Sequence, residues 1–289
     1  MLGNISGIIN PLIMGIFLGG LYALNGLSLS LVFGVMKLIN VAHGDFVILS
    51  SYLSYFLLTS LGVDPFVSLI IGVPLFFFMG YVIQRYLLNR VFKISEEAPL
   101  LITIGLSIIV SNAIRMKFSA LPRALVTPYS LTTVTIGSIS FPLVYFLNFF
   151  VSLVLMLILR EVMRKTYLGL SIRASSQNWR VAQYQGVNTD HVYSFTLGIS
   201  MAIAAITGTL LGLTFPFTPT SGSQYLIIAF FVLVVGGLGN MLGTFIVGIL
   251  FGVLQSVGGH LFGVTYLQFL IYLLLFVLLA IRPQGFFRS

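Results

Sequence analysis

Residues 37–46 read KLINVAHGDF, and long apolar runs flank them on both sides. Lys37, Asn40, His43 and Asp45 stand close together in a chain of 289 residues with only 7% charged side chains. A soluble domain carries about 25% charged residues. Six acids and fourteen bases cannot cover a water-facing surface when 58% of the residues are hydrophobic, so the flanking runs belong in a membrane. Inside a bilayer only helices or a closed barrel satisfy the backbone. The apolar runs are about 17–25 residues long and do not alternate, which selects helices. The expected fold is an all-α integral membrane protein, a polytopic bundle of about 8–10 transmembrane helices with one short cytoplasmic helix.

Candidate spans lie near 9–35, 45–62, 66–90, 98–116, 141–160, 190–214, 224–240, 242–260 and 264–282. The 224–260 region reads either as two short spans or as a re-entrant element. The N-terminal MLGNISGIINPLIMG has no basic segment ahead of its apolar stretch, so the first span reads as retained. Bases concentrate on the cytoplasmic side of membrane proteins. Lys37, Arg85, Arg90, Lys93, Arg160, Arg164, Lys165, Arg173, Arg180, Arg282 and Arg288 fall on one side of these spans, and Arg115, Lys117 and Arg123 on the other. That asymmetry predicts an outer N-terminus and an inner C-terminus. The net charge of +8 therefore reads as topology rather than as a nucleic-acid surface.

The longest inner connection runs through 164–190. Its centre predicts a helix over 174–186, with Ser175 or Ser176 as N-cap and Gly186 as the terminating glycine. Trp179 precedes Ala182 by three residues and so shares its face. The pattern leaves two readings open: an amphipathic helix lying on lipid headgroups, or a helix that docks on a cytoplasmic protein. Glycines at small-residue spacing, Gly15, Gly19 and Gly20, Gly208 and Gly212, Gly248 and Gly252, predict close helix packing. In VVGGLGNMLGTF (234–245), Gly236, Gly237, Gly239 and Gly243 surround Asn240 and break the helix. With KLINVAHGDF this makes two polar interruptions in two halves, the pattern of a translocation pathway.

NVAHGDF (40–46), TYLGLSIRASSQNWRVAQYQGVNTD (166–190) and GGLGNMLGTFIVGILFG (236–252) occur in this order. Together they resemble the permease subunits of bacterial and archaeal ABC importers for branched-chain amino acids. The resemblance implies one transmembrane permease domain over 1–289 in the cytoplasmic (inner) membrane, and a second homologous permease beside it. It further implies two cytoplasmic ATPase subunits and an external substrate-binding protein. The 174–186 helix becomes a coupling helix seated on an ATPase, with Arg173, Ala174, Ser175, Asn178, Trp179, Ala182 and Gly186 as its docking residues. Relatives often carry an acid where this chain has Asn178.

No phosphate-binding GxxxxGK[ST] loop is present, so the chain reads as a non-enzyme without a cofactor of its own, ATP and Mg residing on partner subunits. Cys is absent and the three His are scattered, so no metal site is expected. Asn25, Asn40, His43, Gly44, Asp45, Gly236, Gly237, Gly239 and Asn240 are the expected gate and path residues. Tyr22, Asn25 and Ser28 share one helical face. For the Asn40–Asp45 cluster three readings remain: a helix cap with a gate role, a cap alone, or a proton-coupled site. Its placement at an inner membrane end, where charge is cheap to bury, favours the cap. His191 and His260 read as interfacial, and Asp64, Glu96 and Glu97 as solvated loop residues. The expected function is translocation of branched-chain, hydrophobic amino acids. The alternatives are a related permease for urea or short amides and an ion-coupled secondary transporter.

Overall fold

A computed structural model describes residues 2–92, 95, 97–137 and 139–263, together with 273 and 277, with side chains from residue 7 onward. The expected last span, and with it Arg282 and Arg288, as well as Lys93 and Glu96, lie outside the described residues apart from 273 and 277. The described helices are α1 (Leu2–Met36), α2 (His43–Leu61), α3 (Pro65–Val82), α4 (Asn89–Phe92), α5 (Ala98–Phe118), α6 (Leu143–Lys165), α7 (Tyr167–Gln177), α8 (Trp179–Tyr184), α9 (Thr189–Thr214), α10 (Gly222–Val235) and α11 (Met241–Phe262). A π-helical stretch, Ile83–Leu88, joins α3 to α4, and one hairpin pairs β1 (Thr133–Ile136) with β2 (Ile139–Pro142). Seven of these helices are long and apolar enough to cross a membrane. The protein is an all-α multi-pass membrane protein.

α10 is the exception. Its 14 residues reach only about 21 Å, less than the roughly 30 Å of hydrocarbon. The 224–240 and 242–260 spans are therefore one short helix and one long one, separated at Gly236–Asn240. The break has local causes. Gly237 and Gly239 take φ of +90° and +85°, left-handed values that glycine adopts without a Cβ clash. Asn240 then caps α11 by accepting from Gly243 N at 3.0 Å.

Packing divides the chain into two compact units. The first comprises the described parts of 1–27, 126–156 and 228–289. In it α1 is held between α11 and α6 by glycine. A Cβ on Gly19 would stand 2.5 Å from Ile249 Cα, and one on Gly15 2.6 Å from Val253 Cα. Gly252 faces Gly19 and Gly248 faces Ala23 from the other side, while Gly20 lies on Phe149 of α6. Ala23, Leu27, Met156 and Phe245 close the core between them. Phe17 stacks edge-on with Phe141 and Phe146 at 4.9 and 5.6 Å. Asn10 Oδ1 accepts from Ser140 N at 3.0 Å, which ties β2 to α1.

The second unit comprises the described parts of 28–125 and 157–227. α9 is its axis, with 83% of its apolar window buried against 22% for α3 and α5. Serines join α2 to it: Ser50 Oγ donates to Ala205 O at 2.6 Å and Ser51 Oγ to Gly208 O at 2.7 Å. Ser54 meets both Thr209 and Ser68 of α3 at 2.8 and 2.9 Å. Gly80 and Gly198 bring α3 onto α9. Asp64 is not a free loop carboxylate: it caps α3, accepting from Phe66 N at 2.8 Å with Pro65 at the first helical position.

Removing the glycine notch in the first unit tests this account. Gly248→Leu should lower stability by about 1–3 kcal/mol or more through overpacking. Gly105, in α5, has no atom within 4 Å of an added Cβ, so Gly105→Ala should stabilise by about 0.5–1 kcal/mol. Thermal unfolding in detergent reads both, and a tolerated Gly248→Leu contradicts the packing.

Candidate functional site

The break before α2 falls within KLINVAHGDF, between Met36 and His43. Lys37 takes φ +55° and its N–H returns to Phe33 O, which ends α1. The chain then doubles back. His43 Nε2 lies 3.1 Å from Ser28 Oγ, a residue eight positions before the end of α1. Ser28 O in turn accepts from Ser200 Oγ at 2.7 Å. Ser200 is the twelfth of the 26 residues of α9, so the cluster stands near the middle of a helix about 39 Å long. α2 thus begins deep inside its unit. His43 and Asn40 are 1% and 2% exposed, and Asp45 is 6% exposed.

The capping roles are corrected. The residue before α2 is Ala42, and neither Asn40 nor Asp45 caps the helix with its side chain. Asn40 Oδ1 has no hydrogen-bond partner. Asp45 sits in the first turn of α2, where the positive end of the helix dipole favours a carboxylate. Its Oδ2 accepts from Ser107 Oγ of α5 at 2.5 Å. Across from it stands the start of α10. A Cβ on Gly44 would overlap Gly222 O, and one on Gly222 would overlap Asp45 Oδ1. Two helix N-termini thus meet at one carboxylate, with glycine on both sides because nothing larger fits. One turn away, Val41 N donates to Thr103 Oγ1 at 3.3 Å.

The other predicted path residues belong to the first unit. Asn25 and Tyr22 are buried, and Tyr22 packs edge-on against Phe251 at 5.0 Å. The same turn of α1 meets the second break, since a Cβ on Gly26 would stand 2.5 Å from Val232 Cγ1 and 3.0 Å from Thr244 Cγ2. Gly236 lies against Thr244, so Gly236, Gly237, Gly239 and Asn240 form a compact turn rather than loose chain.

The segment after α6 holds two helices where the sequence predicts one. Thr166 caps α7, accepting from Gly169 N at 3.0 Å. Ser175 and Ser176 fall in the last turn of α7 and cap nothing. Ser175 is buried and Ser176 Oγ bonds back to Arg173 O. The cap of α8 is Asn178, whose Oδ1 accepts from Arg180 N and Val181 N at 3.1 and 3.2 Å. An acid at this position would cap equally well. Gly186, with φ +83°, ends α8 as expected: Val187 N reaches Ala182 O and Gly186 N reaches Gln183 O.

Ala182 and Trp179 do not share an environment, being 4% and 45% exposed. Ala182, Ser171 and Ile172 are buried. Tyr167, Leu170, Trp179, Val181 and Tyr184 are exposed apolar groups, Arg173 is exposed as well, and Arg180 stands over the Trp179 ring at 5.1 Å. A notch of about 300 Å³ opens next to it, lined by Gln183, Gly186, Val187, Asn188, Thr189 and Asp190. The segment is anchored to the spans. Gln183 Nε2 donates to Thr189 Oγ1 at 2.6 Å, Tyr81 Oη meets His191 Nδ1 at 2.9 Å, and Asn89 Nδ2 donates to Asp190 O at 3.0 Å. The π-helical stretch makes the last contact possible. It lines up residues five apart, so Gln84 Nε2 reaches Asn89 Oδ1 at 2.8 Å.

A membrane domain with two broken helices, a buried carboxylate and an exposed apolar platform has the build of a translocator. The family model described as "Branched-chain amino acid transport system / permease component" matches residues 12–280. The chain belongs to this family. Among its relatives are the high-affinity branched-chain amino acid transport system permease protein BraD of Pseudomonas aeruginosa, 28% identical over 96% of this chain and 94% of that one. LivH of Salmonella typhimurium is 28% identical, over 94% and 92% of the two chains. LivH of Escherichia coli K12 is 27% identical over the same shares. No solved structure matches the chain. The protein is accordingly a membrane-spanning transport permease subunit.

Ser107 was not marked by any motif, because its role comes from α5 lying against α2. Ser107→Ala removes the hydroxyl donor to a buried carboxylate and should cost about 1–3 kcal/mol. Ser107→Thr keeps the donor and should recover most of it. Equal melting temperatures for wild type and Ser107→Ala would show that Asp45 does not depend on this bond.

Proposed function

We propose that the chain carries branched-chain amino acids across the cytoplasmic (inner) membrane as one permease of an ATP-driven importer. A second homologous permease completes the pathway, two cytoplasmic ATPase subunits supply ATP and Mg, and an external binding protein delivers the solute. The observation that carries this reading is the outward side of α7 and α8. An exposed group of Tyr167, Trp179, Val181 and Tyr184 at the end of a spanning unit needs a covering partner. Lipid headgroups cover such a surface less well than a protein groove, because Gln177, Asn178, Gln183 and Gln185 stand exposed among the aromatics. The inner position of this segment follows from its bases, Arg164, Lys165, Arg173 and Arg180, with the N-terminus outside and the C-terminus inside.

The mechanism follows from how α8 is tied. A push on α8 passes through Gln183 to Thr189, the first residue of α9. α9 is a continuous helix, so the displacement arrives about 17 Å further along at Ser200, which is bonded to Ser28 beside His43. The cluster of Asn40, His43, Gly44 and Asp45 is thus moved from below, and Gly44 against Gly222 is the joint that opens or closes. Asn25 and the turn Gly236–Asn240 serve the path within the first unit.

Trp179→Ala combined with Tyr184→Ala should lower ATP-driven leucine uptake by roughly tenfold or more while the chain stays in the membrane. Ala182→Arg reports on folding instead, since Ala182 is buried. Purified from its membrane, the chain should co-elute with two ATPase subunits. Leucine transport by the chain alone, driven by an ion gradient, would overturn the assignment.

A further inference from the structure

α3 and α5 are equally open helices, each with 22% of its apolar window buried, yet their exposed surfaces differ. α3 presents Val67, Ile70, Ile71, Leu75 and Phe78, a surface that lipid solvates. On α5, Thr103, Ser107, Ser111 and Arg115 follow one another in four-residue steps. Such a row drifts by only about 40° per step on a helix, so the four make one polar edge. Exposure rises along it, from buried Thr103 through half-buried Ser107 and Ser111 to exposed Arg115. Ile104 and Ile108, 39% and 58% exposed, interleave with it. The opposite edge of α5, with Ile109 and Met116 at 65% and 89% exposure, is apolar.

Polar side chains on a spanning helix face the bundle interior or water, because lipid solvates them poorly. Among the described residues Ser111 Oγ and Asn112 Nδ2 bond to the Ile108 carbonyl of their own helix, at 3.3 and 2.8 Å, and so keep capacity for water. At the inner end, independently of this spacing, Ser107 holds the buried Asp45 carboxylate. A row that leads from an exposed cation to a buried carboxylate, with isoleucines set between its hydroxyls, suits a small solute carrying both charge and a branched aliphatic group.

We infer that this edge of α5 lines the water-filled path of the solute, with Ser107, Ser111 and Arg115 as lining residues and Asp45 at its inner end. Hydroxyls pass the charged head group along while Ile104 and Ile108 meet the aliphatic side chain. The inference rests on the permease reading above and adds residues that the sequence motifs do not mark.

The chain has no cysteine, so single cysteines can be placed in the assembled transporter and treated with a membrane-impermeant cationic methanethiosulfonate. The reagent needs a water-exposed thiolate. Ser111→Cys should react roughly 10-fold faster than Ile109→Cys, and Ile104→Cys, within about 20° of Ser111 on the same edge, serves as the second lining-side variant should Ser111→Cys fail to assemble. Equal rates, or an inert lining side beside a reactive Ile109→Cys, overturn the path. Leucine uptake by the unlabelled complex is read separately. A reactive edge in a complex that takes up no leucine upholds the path and sinks the substrate assignment, whereas an inert edge in a leucine-transporting complex does the reverse.

Discussion

Backbone-to-backbone contact is the constraint on which each unit depends. Between helices in lipid there is no hydrophobic drive, so association rests on close packing and on hydrogen bonds that need short range. Gly19 against Gly252 and Gly248 against Ala23 bring α1 onto α11. Gly208 against Val47 brings α9 onto α2, close enough for Ser50 and Ser51 to donate to carbonyls of the facing helix. A larger side chain at any of these positions would separate the helices by more than a hydrogen bond can span.

The same closeness permits the buried carboxylate. Burying a carboxylate away from water is costly unless it is paired and hydrogen-bonded. Here the chain offsets that with the first turn of α2, the Ser107 hydroxyl and the start of α10, all held near Asp45 because Gly44 and Gly222 bear no side chain.

At α8, rigidity matters more than depth. α8 has six residues, too few to persist alone. Asn178 at its start, the Gly186 turn at its end and Ala182 packed beneath it supply what its length does not. Its aromatic side is therefore presented in one orientation, and the bond from Gln183 to Thr189 joins it to α9.

The sequence alone determined the membrane class, most of the helical spans among the described residues, the break at Gly236–Asn240 and the terminating role of Gly186. Each follows from local composition or from one residue's backbone preference, which neighbours in the chain already express. It misplaced the cap of α8, because Ser175, Ser176 and Asn178 are all competent caps and only packing of α7 chooses among them. It also left the His43–Ser28 contact unseen, since hydropathy counts residues along the chain and cannot see it double back along α1. Tertiary structure alone decided the depth of Asp45, its pairing with Ser107 sixty-two positions away and its meeting with Gly222. Those depend on which helices become neighbours, and glycine and serine, the residues that settle that choice, carry almost no signal in a hydropathy pattern.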